Sequence, residues 1–383
     1  MLRPYVRRGK KSELLSKMKI FQKDFLVLVR SGLWGYDTEF DCTKGDLTSI
    51  LQLAKEQSML GIVGNVLVQQ PGTPEGLKKK IKSFLYNNVL THSLLNKTLH
   101  KCVNALDEAE IPYILLKGQG NATYYPNPTL RQCGDIDLYV GQENYRKAIE
   151  VLNAGGCKNM DISESPKHFD MTMDGVMIEI HRTSMVYTPQ KRDEIYSKLQ
   201  NVGMKENHNT VRIEGMDIRT PEKTFNSYYI FAHLFHHYLT GGIGLRQLCD
   251  WGMILHSLHG VIDKERLRTI IEEMGHLKPW KVFGCIIVKY LGLPQEEFPF
   301  YDRKYESKGK LVLEHILKEG NFGHNRSIFK NRPKQYFLAK TKSLIGHFLK
   351  TINSIRVFPG LATQYFATTL FNGFYVVWKD ITK

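Results

Sequence analysis

Asp135 and Asp137 stand one residue apart in Gly134-Asp135-Ile136-Asp137-Leu138-Tyr139-Val140. The stretch reads as a strand. In a strand, residues i and i+2 project from one face, so both carboxylates point the same way while Ile136 and Leu138 point into an apolar layer. Adjacent carboxylates repel unless a cation lies between them, and a hard divalent ion with oxygen ligands is the usual partner. A third acid, Glu179, sits in the apolar run Val176-Met177-Ile178-Glu179-Ile180-His181 and shares its face with Met177 and His181. It also needs a partner, because burying an unpaired carboxylate is costly. Converging carboxylates, with backbone N–H groups or cations for a triphosphate, are the minimum equipment of phosphoryl or nucleotidyl transfer. The cationic half would come from Lys117-Gly118-Gln119-Gly120, whose glycines allow close backbone approach after a strand, and from Arg131, suited to a bidentate grip on phosphate.

The elements that must position these residues follow from periodicity. Residues 11–70 read as three helices, with Ser31-Gly32 and Trp34-Gly35 breaking the first and Gln70-Pro71-Gly72 ending the third. Residues 76–109 read as one or two more, with Phe84, Leu85, Val89, Leu90, Leu94 and Leu95 inward. Ile111–Leu116 is a buried strand, residues 121–130 a loop or short helix, Asp135–Val140 a strand and Asn144–Ala154 a helix. Phe169–Met173 and Val176–His181 form a hairpin around Asp174-Gly175, a pair that favours a type I′ turn. From Pro221 the pattern is helical again: Phe225–His237, a loop at Gly241–Gly244, then Leu245–Leu258, Ile262–Met274 and Trp280–Leu291. His233, His236 and His237 have a spacing that could hold a metal, but their helix offers no carboxylate or cysteine, so packing is expected. Arg246 and Asp250, four apart on a helix, are expected to pair. Arg246 and His181 are also candidate substrate contacts. The expected fold class is α+β, a small mixed β-sheet core embedded between helical regions, divided as 1–100, 101–220, 221–300 and a basic 301–383.

The formal net charge of +15 over 383 residues points to an anionic partner. Residues 301–383 hold 15 Lys and Arg against 5 Asp and Glu, so most of that excess is C-terminal. Six scattered cysteines without a C-x-x-C pair exclude a zinc knuckle or disulfide framework and fit a reducing cytoplasm. Met1–Leu15 lacks the apolar run of a signal peptide. Residues 357–378 carry no charge and are long enough to span a bilayer, yet Pro359, Gly360, Gln364 and Asn372 make burial in the fold the expectation, ahead of docking on the inner face of an anionic membrane.

Lys117-Gly118, the Asp135–Asp137 strand and Glu179-Ile180-His181 resemble the DNA polymerase beta-type nucleotidyltransferase superfamily. Its pattern is a glycine turn, a strand with two acids around an apolar residue, and a third acid on a later strand. With Tyr125-Pro126, Arg131, the Leu245–Asp250 block and the histidine-rich helix before it, the chain is similar to an uncharacterised bacterial nucleotidyltransferase family often placed near polysaccharide or peptide-tailoring genes. Where the superfamily follows its glycine with Ser or Gly, this chain has Gln119. The resemblance implies an NTP substrate, Mg²⁺ or Mn²⁺ on Asp135, Asp137 and Glu179, and nucleotide contacts from Lys117, Gly118, Gln119, Gly120 and Arg131. It also implies a small-molecule or glycan-related acceptor. The rival expectation is a non-catalytic protein whose basic C-terminal region, with Tyr336, Phe337, Phe348, Phe358, Tyr365 and Phe366, holds an anionic membrane or, less readily, nucleic acid.

Overall fold

Short apolar runs punctuated by glycine turns build a mixed five-stranded sheet, and long amphipathic runs wrap it in helices. The computed structural model describes residues 18–38, 40–160, 165–321 and 354–365. Helices α1 (Ile20–Trp34), α2 (Leu47–Glu56), α3 (Leu60–Gln69) and α4 (Glu75–Glu108) come first. They lead to β1 (Ile114–Leu115), a short α5 (Gln119–Ala122) and β2 (Asp135–Tyr139), then α6 (Gly141–Ala154), β3 (Lys158–Asn159), β4 (His168–Met173) and β5 (Val176–His181). After α7 (Gln190–Gln200) and a separate hairpin of β6 (His208–Ile213) and β7 (Met216–Pro221) come α8 (Lys223–Thr240), α9 (Leu245–Leu258), α10 (Lys264–Glu273), α11 (Leu277–Ile286) and α12 (Glu306–Glu319). The α+β expectation is met.

The sheet order is β1-β2-β5-β4-β3, with β2 and β5 parallel and the other pairs antiparallel. The parallel pair sets Asp137 opposite Glu179 and Tyr139 opposite His181. Asp174 and Gly175 both have positive φ, as a type I′ turn requires, and the resulting register pairs Asp170 with Glu179 and His168 with His181. The sheet's apolar face packs on α4 and α6 in one core containing Ile136, Leu138, Ile178, Ile180, Leu99 and Leu152. A second core joins α1–α3 to α8–α12, with Trp251, Trp280, Phe231 and Phe283 at its centre. The N-terminal and C-terminal helices therefore share one core on the sheet's other side.

Two sequence expectations need correcting. Helix α1 does not break at Ser31-Gly32 but runs to Trp34, where Gly35 adopts the left-handed conformation that ends it. A Cβ on Gly32 would lie 2.5 Å from Ile62 of α3, so glycine here permits close helix packing within a continuous helix. The inward face of α4 is also different. Val89, Leu90 and Leu94 are exposed, and the buried stripe is Ile81, Asn88, His92, Leu95, Leu99, Val103 and Leu106. Apolar content alone misplaced that face, because Asn88 and His92 are turned inward to hold the loop before β2. Among residues 357–378 the described part ends at 365, where Val357, Phe358 and Ala362 are buried and Phe358 packs on Phe235, Tyr238 and Phe283. Residues 366–378, and Tyr336, Phe337 and Phe348, lie outside the described residues. Among those described, no helix is long and apolar enough to cross a membrane.

Two substitutions on α4 test its orientation. Leu99→Ala should cost about 2–5 kcal/mol by transfer and cavity terms. Leu94→Gln should stay within about 0.5 kcal/mol, as for an exposed site. Urea denaturation of the two variants checks both.

Candidate active site

Asp135, Asp137 and Glu179 offer carboxylate oxygens within 4.8 Å of one another. Strand β2 supplies two of them on one face and β5 brings the third alongside, so the cluster follows from alternation plus one parallel register. Lys117, at the end of β1, closes the cluster with Nζ 2.9 Å from Asp137 Oδ1. His181 Nε2 lies 3.0 Å from Asp137 Oδ1 and 3.1 Å from Glu179 Oε2.

These contacts divide the two aspartates. Burial alone would push Asp137 up, but the Lys117 ammonium and the hydrogen bond from His181 outweigh it and hold the carboxyl well below its ordinary range. Asp135 moves the other way, raised first by the charge of Asp137 and then by burial. Burial opposes charge on Lys117 and His181 too, yet their acidic neighbours raise both. Asp137 thus takes both cationic contacts on Oδ1, while Asp135 makes no ion pair among the described residues. Asp135, Asp137 and Glu179 are the residues that fit a divalent ion, which would offset the mutual repulsion of the three carboxylates.

The glycine turn before the cluster is built for close approach. Gly118 has φ +56° and ψ −119°, a conformation L side chains rarely adopt, and a Cβ there would lie 3.2 Å from the Asp135 carbonyl. Gln119 does not face the cleft. Its side chain is buried behind the turn with neither amide atom partnered, and Gly120 packs on Leu115 and Thr220. Lys117, Gly118 and Asn121 line the cleft instead.

Arg131 also differs from the expectation. It is buried, donating through Nε (2.7 Å) and Nη2 (2.8 Å) to the two carboxylate oxygens of Asp250, which accepts a third bond from Tyr125 OH at 2.7 Å. The expected Arg246–Asp250 pair is therefore absent: the buried guanidinium of Arg131 claims Asp250, and Arg246 donates to the Gln132 carbonyl at 2.6 Å. Asn88 and His92 of α4 hold the Thr129 and Arg131 carbonyls, and Leu60 N–H donates to Gln132 Oε1. The loop that delivers Asp135 is thus clamped from α3, α4 and α9 together. Arg131 and Arg246 both line the cleft; Arg131 commits Nε, Nη1 and Nη2 to Asp250 and Cys133, whereas Arg246 makes one bond through Nη1 and its buried Nε has no partner.

The cleft, about 200 Å³, contains residues that the sequence reading did not assign to it. Lys167 and His168 enter from the start of β4, and His233 and His237 from α8. Lys117 Nζ is 3.3 Å from His233 Nε2, which lies 3.2 Å from His237 Nε2. Burial first, then the nearby Lys117 charge, push His233 well below its ordinary value, so it is a neutral acceptor. The i, i+4 spacing signalled a shared helix face; nothing in the sequence told which wall that face would line. His236 instead meets Tyr365.

The profile of the family described as "Uncharacterised nucleotidyltransferase" matches residues 43–292, a span that includes every residue of the cluster. The chain belongs to this family of nucleotidyltransferases. Among curated proteins no sequence matches it. Two solved structures are similar to parts of this nucleotidyltransferase, each at 13% identity. One is ANT(2")-Ia in complex with adenylyl-2"-tobramycin, with a TM-score of 0.33, covering 47% of this chain and 96% of that one. The other is an antigenic nucleotidyltransferase-like protein from Paracoccidioides brasiliensis, with a TM-score of 0.31, covering 52% of this chain and 94% of that one.

Removing Asp250 should expose how far the site depends on its clamp. Asp250→Ala leaves the Arg131 guanidinium buried and unpaired, a loss of about 3–5 kcal/mol. Guanidinium chloride denaturation checks the value.

Proposed function

We propose that this nucleotidyltransferase moves a nucleoside monophosphate from an NTP to a hydroxyl or phosphate acceptor, releasing pyrophosphate, with Mg²⁺ or Mn²⁺ held by Asp135, Asp137 and Glu179. One observation carries the reading: Glu179 stands opposite Asp137 across a parallel strand pair, with Asp135 on the same face. A bound divalent ion would neutralise charge on the phosphates and acidify the acceptor hydroxyl.

The chain's own residues do the rest. The acceptor oxygen attacks the α-phosphorus as the bond to the bridging oxygen of pyrophosphate breaks. A carboxylate oxygen of Glu179 takes the hydroxyl proton. Lys117, placed beside Asp137, follows the negative charge onto the leaving pyrophosphate, and the Gly118 turn brings the backbone against the triphosphate. His233, neutral behind Lys117, accepts from that ammonium and keeps it aimed along the cleft. The cleft is smaller than the roughly 300–1,000 Å³ of pockets that bury a drug-sized ligand, which suits the triphosphate and one reacting group of the acceptor. We take a small-molecule or glycan hydroxyl as that acceptor.

The test uses labelled NTPs with cell extract and divalent ion. Wild type should transfer label to an acceptor, and Asp137→Asn should lower the rate by about 10²–10³-fold, as for loss of one electrostatic element of a site. In parallel, NTP with Mg²⁺ should stabilise wild type by about 2.7 kcal/mol at a hundred times its Kd. No transfer and no stabilisation with any of the four NTPs, with either ion, would overturn the reading.

A further inference from the structure

A second group of ligand-competent atoms adjoins the first. His168, Glu179 and His181 offer two ring nitrogens and a carboxylate oxygen within 4.8 Å of one another. Glu179 Oε2 is 3.1 Å from His181 Nε2 and 3.7 Å from His168 Nδ1. Around an ion with bonds of 2.0–2.1 Å, tetrahedral geometry puts ligand atoms about 3.3–3.5 Å apart, and these separations bracket that value. The register makes the grouping, because His168 is paired with His181 and Asp170 with Glu179 across the β4–β5 hairpin.

A further observation points to a cation here. The other nitrogen of His168, Nε2, faces Asp170 Oδ1 at 3.5 Å. A carboxylate behind the remote nitrogen is the arrangement that orients ligating histidines. His181, itself buried, sets Nε2 against both Asp137 and Glu179, and an ion here would take the place of the proton on that nitrogen. His168 Nδ1 has one long hydrogen-bond contact, Ser165 Oγ at 3.5 Å, and Glu179 Oε2 lies beyond hydrogen-bond distance at 3.7 Å.

We propose that His168, Glu179 and His181 form a second cation site that shares Glu179 with the carboxylate set and takes a transition-metal ion. Its donor set differs from the other: two imidazoles and one carboxylate suit Zn²⁺, Fe²⁺ or Co²⁺, whereas the all-oxygen set of Asp135, Asp137 and Glu179 suits Mg²⁺ or Mn²⁺. The shared Glu179 couples the two, so occupancy at the histidine site fixes the carboxylate that the proposed transfer uses. The inference stands on its own geometry, though its link to catalysis rests on the function proposed above.

Co²⁺ serves as the probe, titrated into the full chain without nucleotide and in excess Mg²⁺, with visible absorption reading nitrogen-ligated, low-coordinate Co²⁺. Wild type should develop that absorption. His168→Gln should weaken Co²⁺ binding at least about tenfold, and Asp170→Asn, which leaves all three ligands in place, about 10–100-fold. Asp135→Asn should keep the absorption, since Asp135 belongs only to the carboxylate set and its loss relieves repulsion. Metal-free thermal midpoints confirm that each variant folds, and Asp170→Asn decides the matter if His168→Gln does not. The proposal is overturned if wild type shows no such absorption, if the folded His168 and Asp170 variants bind Co²⁺ as wild type does, or if Asp135→Asn abolishes the signal. Absence of nucleotidyl transfer with the Co²⁺ signature intact would sink the function proposed above and leave this site standing.

Discussion

Three carboxylates held within 4.8 Å of one another repel, and the parallel pairing of β2 with β5 is what keeps them together. Neither strand could be moved by one residue without turning its acids into the apolar layer, because side chains alternate with a period of two. Ile136, Leu138, Ile178 and Ile180, all fully buried on the opposite face, fix the register by hydrophobic burial. The repulsion on the polar face is thus sustained by packing on the apolar one. Lys117 and His181 relieve it chiefly at Asp137, while Asp135 keeps a raised pKa beside that charge.

The helices contribute placement as much as bulk. Arg131, in the loop that leads into β2, is locked by Asp250 of α9, while Asn88 and His92 of α4 hold carbonyls of that loop. Buried charge pairs of this kind add little net stability compared with apolar packing, but breaking one is expensive. Their effect here is to fix a loop that has no sheet partner of its own, so that Asp135 enters β2 at a defined position. On the far wall, His233 and His237 of α8 face Lys117 and complete a cleft that is acidic on the sheet side and basic or neutral on the helical side.

Much of this was legible in the sequence where local chemistry decides structure. The Asp135–Asp137 alternation, the Asp174-Gly175 turn, the Glu179 strand and the α9 boundaries depend on short-range rules, and all stand as expected. The hairpin also held a further consequence: a two-residue turn at 174–175 forces His168 opposite His181, so a residue of the second metal-competent group could have been found by counting. What the sequence reading missed depends on contacts far apart in the chain. Arg246 and Asp250 have the spacing of a helical pair, yet the partner that Asp250 takes is more than a hundred residues away. Gln119 occupies a position that reads as part of the phosphate turn, but burial behind the turn is set by β7 and β1 packing on Gly120. Helix α7 and the β6–β7 hairpin went unassigned because neither carries a strong cap or turn signal; Glu214-Gly215 makes a tight turn that composition does not announce. The exposed apolar residues of α4 show the same limit, since periodicity finds a stripe without saying what it meets.

The claim on which the account turns is that the acids of β2 and β5 jointly hold a divalent ion with the nucleotide. Anomalous diffraction from crystals grown with Mn²⁺ and a non-hydrolysable NTP tests it most directly. The account predicts a manganese peak bounded by Asp135, Asp137 and Glu179, with the triphosphate beside it and Lys117 drawn from Asp137 toward the phosphates. A nucleotide bound elsewhere, or bound in this cleft with no manganese between these carboxylates, would contradict it.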